Sequence, residues 1–129
     1  FARCVRLYDG YFDMLFGRDE ILLSGLVAGA RGAVGSTYNV LAPLFVRLLD
    51  AYHAGDLSTA ERLQARAGEH VAVMQRHGGL RALKPMMRLI GLDCGPLRLP
   101  LSDLSDGEVE ALSAELQATG FFDDCCERP

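Results

Sequence analysis

The chain has 129 residues, of which 50% are hydrophobic, and its 17 acidic and 13 basic side chains leave a formal net charge of −4. Length and composition are those of one ordinary globular domain. The acidic balance argues against nucleic-acid and anionic-membrane partners, because no basic patch exists to neutralise phosphates. Asp, Arg or Gly interrupts every long apolar stretch, so no membrane-spanning helix of roughly 20 apolar residues is expected.

The start of the chain and its cysteines indicate its processing and compartment. The chain begins at Phe1 without a methionine and within a helical pattern, so we expect a processed protein or a piece of a longer one. The first residues do not have the pattern of a signal peptide. The cysteines stand at positions 4, 94, 125 and 126 without a CxxC spacing, and adjacent Cys125 and Cys126 would bridge each other only with strain. We therefore expect reduced thiols and a cytoplasmic location.

Short strands and helices alternate in the first part of the chain. Residues 1–10 have the pattern of the end of a helix, and the apolar run 12–16 predicts a buried strand that stops at Gly17. Asp19 and Glu20 open a helical pattern that ends at Gly29. Residues 32–35 predict a second strand, followed at once by the helix-starting pair 36–37. Such alternation with short connections is typical of right-handed βα units.

The rest of the chain is predicted to be helical. One apolar face runs from Leu41 to Tyr52 at helical spacing, and Gly55 ends that helix. Residues 58–61 (Ser-Thr-Ala-Glu) predict a capping box for the next helix, which runs to Gly78-Gly79. A third helix covers residues 80–90, with Pro85 either kinking it or lying in its first turn. Residues 91–104 predict a loop, 105–108 cap a last helix, and the tail after Gly120 is expected to be loosely held.

The predicted strands are too few for a stable sheet. Parallel strands with two apolar faces occur in larger sheets that are covered on both sides, and the sequence supplies only two. We therefore predict an incomplete, mostly helical α/β unit with a helical C-terminal extension.

The stretch FGRDEILLSGLVAGARGAVGSTYN, residues 16–39, resembles the seventh and eighth βα units of the N-acetylneuraminate lyases. These class I aldolases share a (β/α)8 superfamily with dihydrodipicolinate synthase. The most specific pieces are residues 17–20 (GRDE) and 35–39 (GSTYN), and residues 95–101 (GPLRLPL) look most like animal members of the family. The resemblance covers nearly all of this chain but rather less than half of a family member.

The resemblance implies the C-terminal part of a TIM barrel. Residues 1–54 would hold the end of helix 6, strand 7, helix 7, strand 8 and helix 8, and residues 55–129 a three-helix extension and tail. Strands one to six would lie upstream. In the family a lysine that ends strand six forms a Schiff base with the substrate, a tyrosine from strand five moves the proton, and the products are pyruvate and N-acetylmannosamine. Neither catalytic residue maps onto this chain. We expect no cofactor and no metal, and the family assembles as homotetramers.

The residues that do map are those that bind the hydroxylated tail of the sugar substrate. By motif match they are the backbone of Gly17, the carboxylates of Asp19 and Glu20, and the hydroxyl of Ser36. Gly17 and Ser36 would each follow a strand at the barrel mouth, where ligands bind in this fold. Paired carboxylates accept hydrogen bonds from a polyol at charge-assisted strength, and a glycine permits close backbone approach. Without the motif, capping explains the acids and Ser36 equally well, since such residues suit the first turn of a helix.

Other chemistry-bearing residues have simpler interpretations. Lys84 has apolar neighbours, as a Schiff-base lysine needs, but it falls on a helix of the extension and not at a strand end. His53, His70 and His77 do not have metal-ligand spacing, although the last two are one heptad apart. Cys125 and Cys126, beside acidic residues, are interpreted as part of a disordered acidic tail rather than a metal site.

Three functions remain open. The first is the C-terminal part of an N-acetylneuraminate lyase acting on a small-molecule substrate, inactive by itself. The second is a related aldolase for another 2-keto acid, because Arg18 stands where the lyases vary. The third is a truncated, non-catalytic paralogue whose helices bind a partner; uncovered apolar strand faces, which promote aggregation, argue against it.

Overall fold

The computed structural model describes residues 1–125, and for Tyr8 the backbone alone. The first part of the chain contains α1 (Ala2–Val5), a 3-10 turn (Leu7–Gly10), β1 (Leu15–Phe16), a second 3-10 turn (Asp19–Ile21), α2 (Leu22–Val27) and β2 (Gly32–Ala33). Five helices follow: α3 (Tyr38–His53), α4 (Leu57–Arg76), α5 (Leu80–Leu89), α6 (Asp106–Ala118) and α7 (Phe121–Asp124). The predicted alternation of strand and helix is confirmed, followed by the predicted run of helices.

The two strands pair in parallel, with Leu15 opposite Gly32 and Phe16 opposite Ala33. Each strand is shorter than its apolar run predicts, because each has a single neighbour in the part of the chain that the structure describes. The apolar side chains beside this ladder are exposed: Tyr11 (82%), Phe12 (55%), Leu15 (54%) and Val34 (67%). Residues 1–125 therefore leave part of the apolar surface of the sheet uncovered.

The core lies among the helices. Helix α3 packs along α4, and α5, α6 and α7 close the other side. Its fully buried side chains include Leu41, Leu44, Leu48, Val73, Met86, Leu112, Leu116 and Phe121. Leu41 has non-helical backbone angles, so α3 is kinked after its first turn, two residues before Pro43.

Local signals place the helix ends, with one error. Ser105 and Glu108 form the predicted reciprocal capping box at the start of α6. The box predicted at residues 58–61 is wrong: Asp56 is the N-cap of α4, and its carboxylate accepts the Thr59 N–H at 3.0 Å. Because α3 ends at His53, with Ala54 as its C-cap residue, and Gly55 has a positive φ, Asp56 is already in place to cap, two residues ahead of Ser58. Pro85 lies inside α5, past its first turn.

The expectation of a loosely held tail after Gly120 is also wrong for the residues described. Phe121–Asp124 form the short helix α7, in which Phe121 is fully buried and Asp124 is 3% exposed. The Asp124 carboxylate accepts hydrogen bonds from Arg47 at 2.7 Å and from Arg66, and it lies 3.0 Å from His70 Nε2. These partners lie 54 to 77 residues away in sequence, so no local sequence pattern predicts the contacts. Cys126 lies outside the described residues.

Candidate functional site

A cleft of about 140 Å³ opens where the two strands end. It gathers the residues after β1, the residues after β2 and one face of α4. Its lining consists of Gly17, Arg18, Asp19, Glu20, Gly35, Ser36, Thr37, Val71, Met74 and Gln75. All four residues predicted to bind the sugar tail therefore line one cleft, although the first and the last of them lie 19 positions apart in the sequence.

Asp19 connects the two strand ends. Its side chain is buried, and its Oδ2 accepts hydrogen bonds from the Thr37 N–H at 2.9 Å and from the Thr37 hydroxyl at 2.5 Å. Thr37 is the N-cap residue of α3, so the carboxylate of one loop holds the residue at the start of the helix that follows the next strand. This placement matches the preference of negative charge for a helix N-terminus. Asp19 does not cap the helix that it opens, which was the simpler interpretation of the sequence.

Two glycines at the cleft have different reasons to be glycine. A Cβ at Gly35 would overlap the Asp19 carboxylate, so Gly35 makes room for the contact between the two loops. A Cβ at Gly17 would meet only the Val34 carbonyl oxygen, at an ordinary 3.8 Å. The fold itself therefore tolerates a side chain at position 17, and a glycine there leaves the cleft open to a ligand.

Glu20 and Ser36 present the accessible polar groups. Glu20 forms an ion pair with Arg18 at 3.6 Å, and its side chain remains 40% exposed. The Ser36 carbonyl accepts a hydrogen bond from the Asn39 side-chain amide at 2.9 Å, whereas the Ser36 hydroxyl has no hydrogen-bond partner within residues 1–125. The cleft thus offers one free hydroxyl and one solvent-accessible carboxylate.

Tyr38 lies beneath the cleft and packs in the core. Its ring stands edge-on to Phe45, with centroids 4.6 Å apart, and its buried hydroxyl makes no hydrogen bond with a described residue. Burial, together with the nearby Asp19 carboxylate, raises the pKa of Tyr38 far above its ordinary value. The raised pKa keeps the Tyr38 hydroxyl protonated at physiological pH.

The contribution of α4 was missed by sequence reasoning. Val71 and Met74 are buried apolar residues of α4 that also line the cleft, and no sequence pattern singled out Gln75. A second glutamine, Gln64, contacts the backbone next to the cleft: its Nε2 donates to the Asp19 carbonyl at 3.1 Å, and its Oε1 accepts the Leu23 N–H at 2.8 Å. Helical periodicity gives the face of α4 but not its partner.

Lys84 and the histidines lie outside the cleft. The Lys84 ammonium donates to the carbonyls of Cys94 and Pro96, at 3.0 and 2.6 Å, and so fastens the loop after α5. His70 is fully buried between Asp124 and Thr119, and His77 contacts Glu115 at 2.7 Å. Within the described residues, no group of three His, Cys, Asp or Glu side chains is placed to hold a metal ion. None of the helices of residues 1–125 is long and apolar enough to cross a membrane.

Comparison with known proteins identifies the family. The model of the dihydrodipicolinate synthetase family matches residues 2–119. N-acetylneuraminate lyase of Rattus norvegicus is 38% identical over 125 residues, which cover 95% of this chain and 39% of the relative. The relative from Rhizobium meliloti, of the same name, is 37% identical over 106 residues, 82% of this chain and 33% of the relative.

Solved structures agree with the sequence relatives. The Proteus mirabilis N-acetylneuraminate lyase superposes with a TM-score of 0.86 at 36% identity, covering 93% of this chain and 41% of that one. The Aliivibrio salmonicida enzyme gives 0.86 at 38% identity, with 93% and 40% covered. The chain spans about two fifths of the length of these relatives. With its family model matched over residues 2–119, the chain belongs to the dihydrodipicolinate synthetase family.

Proposed function

We propose that this chain is the C-terminal part of an N-acetylneuraminate lyase, a class I aldolase that cleaves N-acetylneuraminate to N-acetylmannosamine and pyruvate. The observation that carries the proposal is the cleft at the strand ends, which gathers Gly17, Asp19, Glu20 and Ser36. Relatives named as N-acetylneuraminate lyases, at 37–38% identity, support the same activity. A soluble cytoplasmic homotetramer without a cofactor is part of the proposal.

The cleft is chemically suited to the hydroxylated tail of a sugar acid. The Glu20 carboxylate accepts hydrogen bonds from sugar hydroxyls, and the Ser36 hydroxyl donates or accepts as the ligand requires. At Gly17 the sugar would approach the backbone itself. Asp19 contributes differently, because its Oδ2 is already occupied by Thr37 and only Oδ1 remains for a ligand. We therefore assign Asp19 both a structural and a binding role.

Bond cleavage would rest on residues outside this chain. The Schiff-base lysine and the proton-carrying tyrosine of the family would map upstream of Phe1. Lys84 is held by two carbonyls of the loop after α5 and does not line the cleft. The residues here would bind and orient the sugar. This division predicts that the 129-residue chain alone binds the sugar product but does not turn over N-acetylneuraminate.

The exposed strand faces support placement in a larger barrel. Tyr11, Phe12, Leu15 and Val34 lie beside a two-stranded parallel ladder, and parallel sheets occur with both faces covered. We propose that residues 1–54 form the last two βα units of a (β/α)8 barrel and residues 55–129 its helical extension and tail. The upstream strands of such a barrel would cover these faces.

Ligand titration of the chain by NMR tests the proposal. N-acetylmannosamine should produce saturable shifts at the amides of Gly17, Glu20 and Ser36. Pyruvate should produce none, because the amine that captures it is not in this chain. Glu20→Gln and Ser36→Ala should each lower the affinity for N-acetylmannosamine by about fivefold, which corresponds to the loss of one hydrogen bond. Glu69→Gln on the exposed face of α4 serves as the control. Absence of saturable shifts with wild type, or unchanged affinity in both cleft variants, would refute the assignment.

A second candidate is favoured by Arg18. Its guanidinium, 3.6 Å from the Glu20 carboxylate, would compete with the sugar for that group, which would favour a different 2-keto acid. A polypeptide that joins this chain to strands one to six, given pyruvate and a panel of aldehydes, distinguishes the two. Preference for N-acetylmannosamine supports the lyase, and preference for a shorter aldehyde supports the alternative.

A further inference from the structure

The side-chain amide of Gln64 joins the helical extension to the turn that carries Asp19 and Glu20. Gln64 projects from α4 and makes two hydrogen bonds of opposite sense: Nε2 donates to the Asp19 carbonyl at 3.1 Å, and Oε1 accepts the Leu23 N–H at 2.8 Å. Both are partly buried and span 45 and 41 residues of sequence. The residue is thus held at both ends of its amide.

The second of these bonds replaces a missing cap. Leu23 is the second residue of α2, and the N-cap residue of that helix, Ile21, supplies no side-chain hydrogen bond. The first N–H groups of a helix have no partner within it, so Gln64 satisfies one of them from another element. An amide is suited to this position because it offers a donor and an acceptor on one rigid plane.

Asp19 is consequently fixed at both of its polar ends. Its carbonyl is held by Gln64 of α4, and its carboxylate is held by Thr37 at the start of α3. Between these two attachments the backbone sets the direction of the neighbouring Glu20 side chain into the cleft. A loss of either attachment would allow the turn to shift relative to Ser36.

We propose that Gln64 is a positioning residue for sugar binding: it sets the geometry of the Asp19–Ile21 turn without touching the ligand. The proposal rests on the proposed function for the identity of the ligand, N-acetylmannosamine. It assigns the helical extension a part in ligand affinity in addition to its packing.

Two substitutions separate positioning from packing. Gln64→Glu keeps an oxygen for the Leu23 N–H but sets a carboxylate oxygen against the Asp19 carbonyl. Gln64→Met keeps the length of the side chain and loses both hydrogen bonds. Gln117→Glu and Gln117→Met, at an exposed position of α6, are the matched controls. For each chain, the measurements are the exchange rate of the Leu23 amide, the amide shifts of residues 19–21 and the affinity for N-acetylmannosamine.

The proposal makes a split prediction. Gln64→Glu should leave the exchange rate of the Leu23 amide within about twofold of wild type. It should change the amide chemical shifts of residues 19–21 and lower the affinity for N-acetylmannosamine by about fivefold. Gln64→Met should also speed Leu23 exchange by about tenfold. If Gln64 only packs, its variants should lower thermal stability and leave the sugar affinity of the folded chain unchanged. The Gln117 variants should leave that affinity unchanged. Wild-type affinity in Gln64→Glu overturns the proposal.

Failure of the proposed function gives a different result. If the wild-type chain shows no saturable shifts with N-acetylmannosamine, the assignment of the sugar fails. The role of Gln64 is then decided by the ligand-free amide shifts of residues 19–21. Shifts in Gln64→Glu that the Gln117 controls lack support positioning of the turn, and unchanged shifts overturn it.

Discussion

Replacing Asp124 by alanine tests whether the C-terminal helix is held by its buried carboxylate. The substitution leaves His70, which is fully buried, without a partner for Nε2, and an unsatisfied buried group costs about 1–3 kcal/mol. Arg47 and Arg66 are roughly half exposed, so each regains water and adds at most about 1 kcal/mol. The expected loss in the free energy of unfolding is about 3 kcal/mol.

Urea unfolding at pH 7 measures this loss directly, and a thermal scan should show a fall in Tm of about 10 °C for a chain of this size. The matched control is Asp123→Ala, which removes an exposed carboxylate from the same short helix. The control should stay within about 0.5 kcal/mol of wild type. If Asp124→Ala is no less stable than Asp123→Ala, the carboxylate does not hold α7 and the reasoning is wrong.

Three further predictions concern pH, packing and Lys84. Burial favours a higher pKa for Asp124, but hydrogen bonds from His70 and the two arginines outweigh burial and hold the pKa below its ordinary value. The stabilisation by the Asp124 carboxylate is therefore present above about pH 4 and is lost as pH falls through the lowered pKa. Asp124→Asn should flatten this acidic part of the urea-stability profile. Gly35→Ala should destabilise the chain by about 2 kcal/mol, because the added Cβ collides with the Asp19 carboxylate. Gly68→Ala, in open space within α4, should stabilise the chain by about 0.5–1 kcal/mol. Equal effects of the two substitutions in urea unfolding would contradict this reasoning. Borohydride reduction with pyruvate, followed by peptide mass mapping, should leave Lys84 unmodified, since its ammonium is held by two carbonyls. A pyruvyl adduct at Lys84 would overturn its assignment as a loop-fastening residue.

Patterns local in sequence gave the elements. The apolar runs before Gly17 and at residues 32–35 predicted the two strands, and helical spacing predicted α3 to α6. The Ser105 capping box was readable because both partners lie within three residues of each other. The predicted box at residues 58–61 failed, because the preceding helix ends early enough for Asp56 to take the N-cap position.

The cleft was accessible to sequence reasoning only through the resemblance to a known family. Residues 17–20 and 35–39 carried the motif, and parallel pairing of the two strands brings their ends together. Periodicity alone gave no reason to place Val71, Met74 or Gln75 at the same cleft. It predicts which residues share one face of a helix but not which element packs against that face.

The sequence by itself determined the strands, the helices and most of their ends, because hydrophobic spacing and caps act over a few residues. Only the tertiary structure decided which polar groups meet. Asp19 reaches Thr37, Gln64 reaches the turn at Asp19, and Asp124 reaches His70 across 18, 45 and 54 residues of chain. Burial makes these long-range bonds necessary, because a carboxylate or amide removed from water must find a partner wherever packing places one.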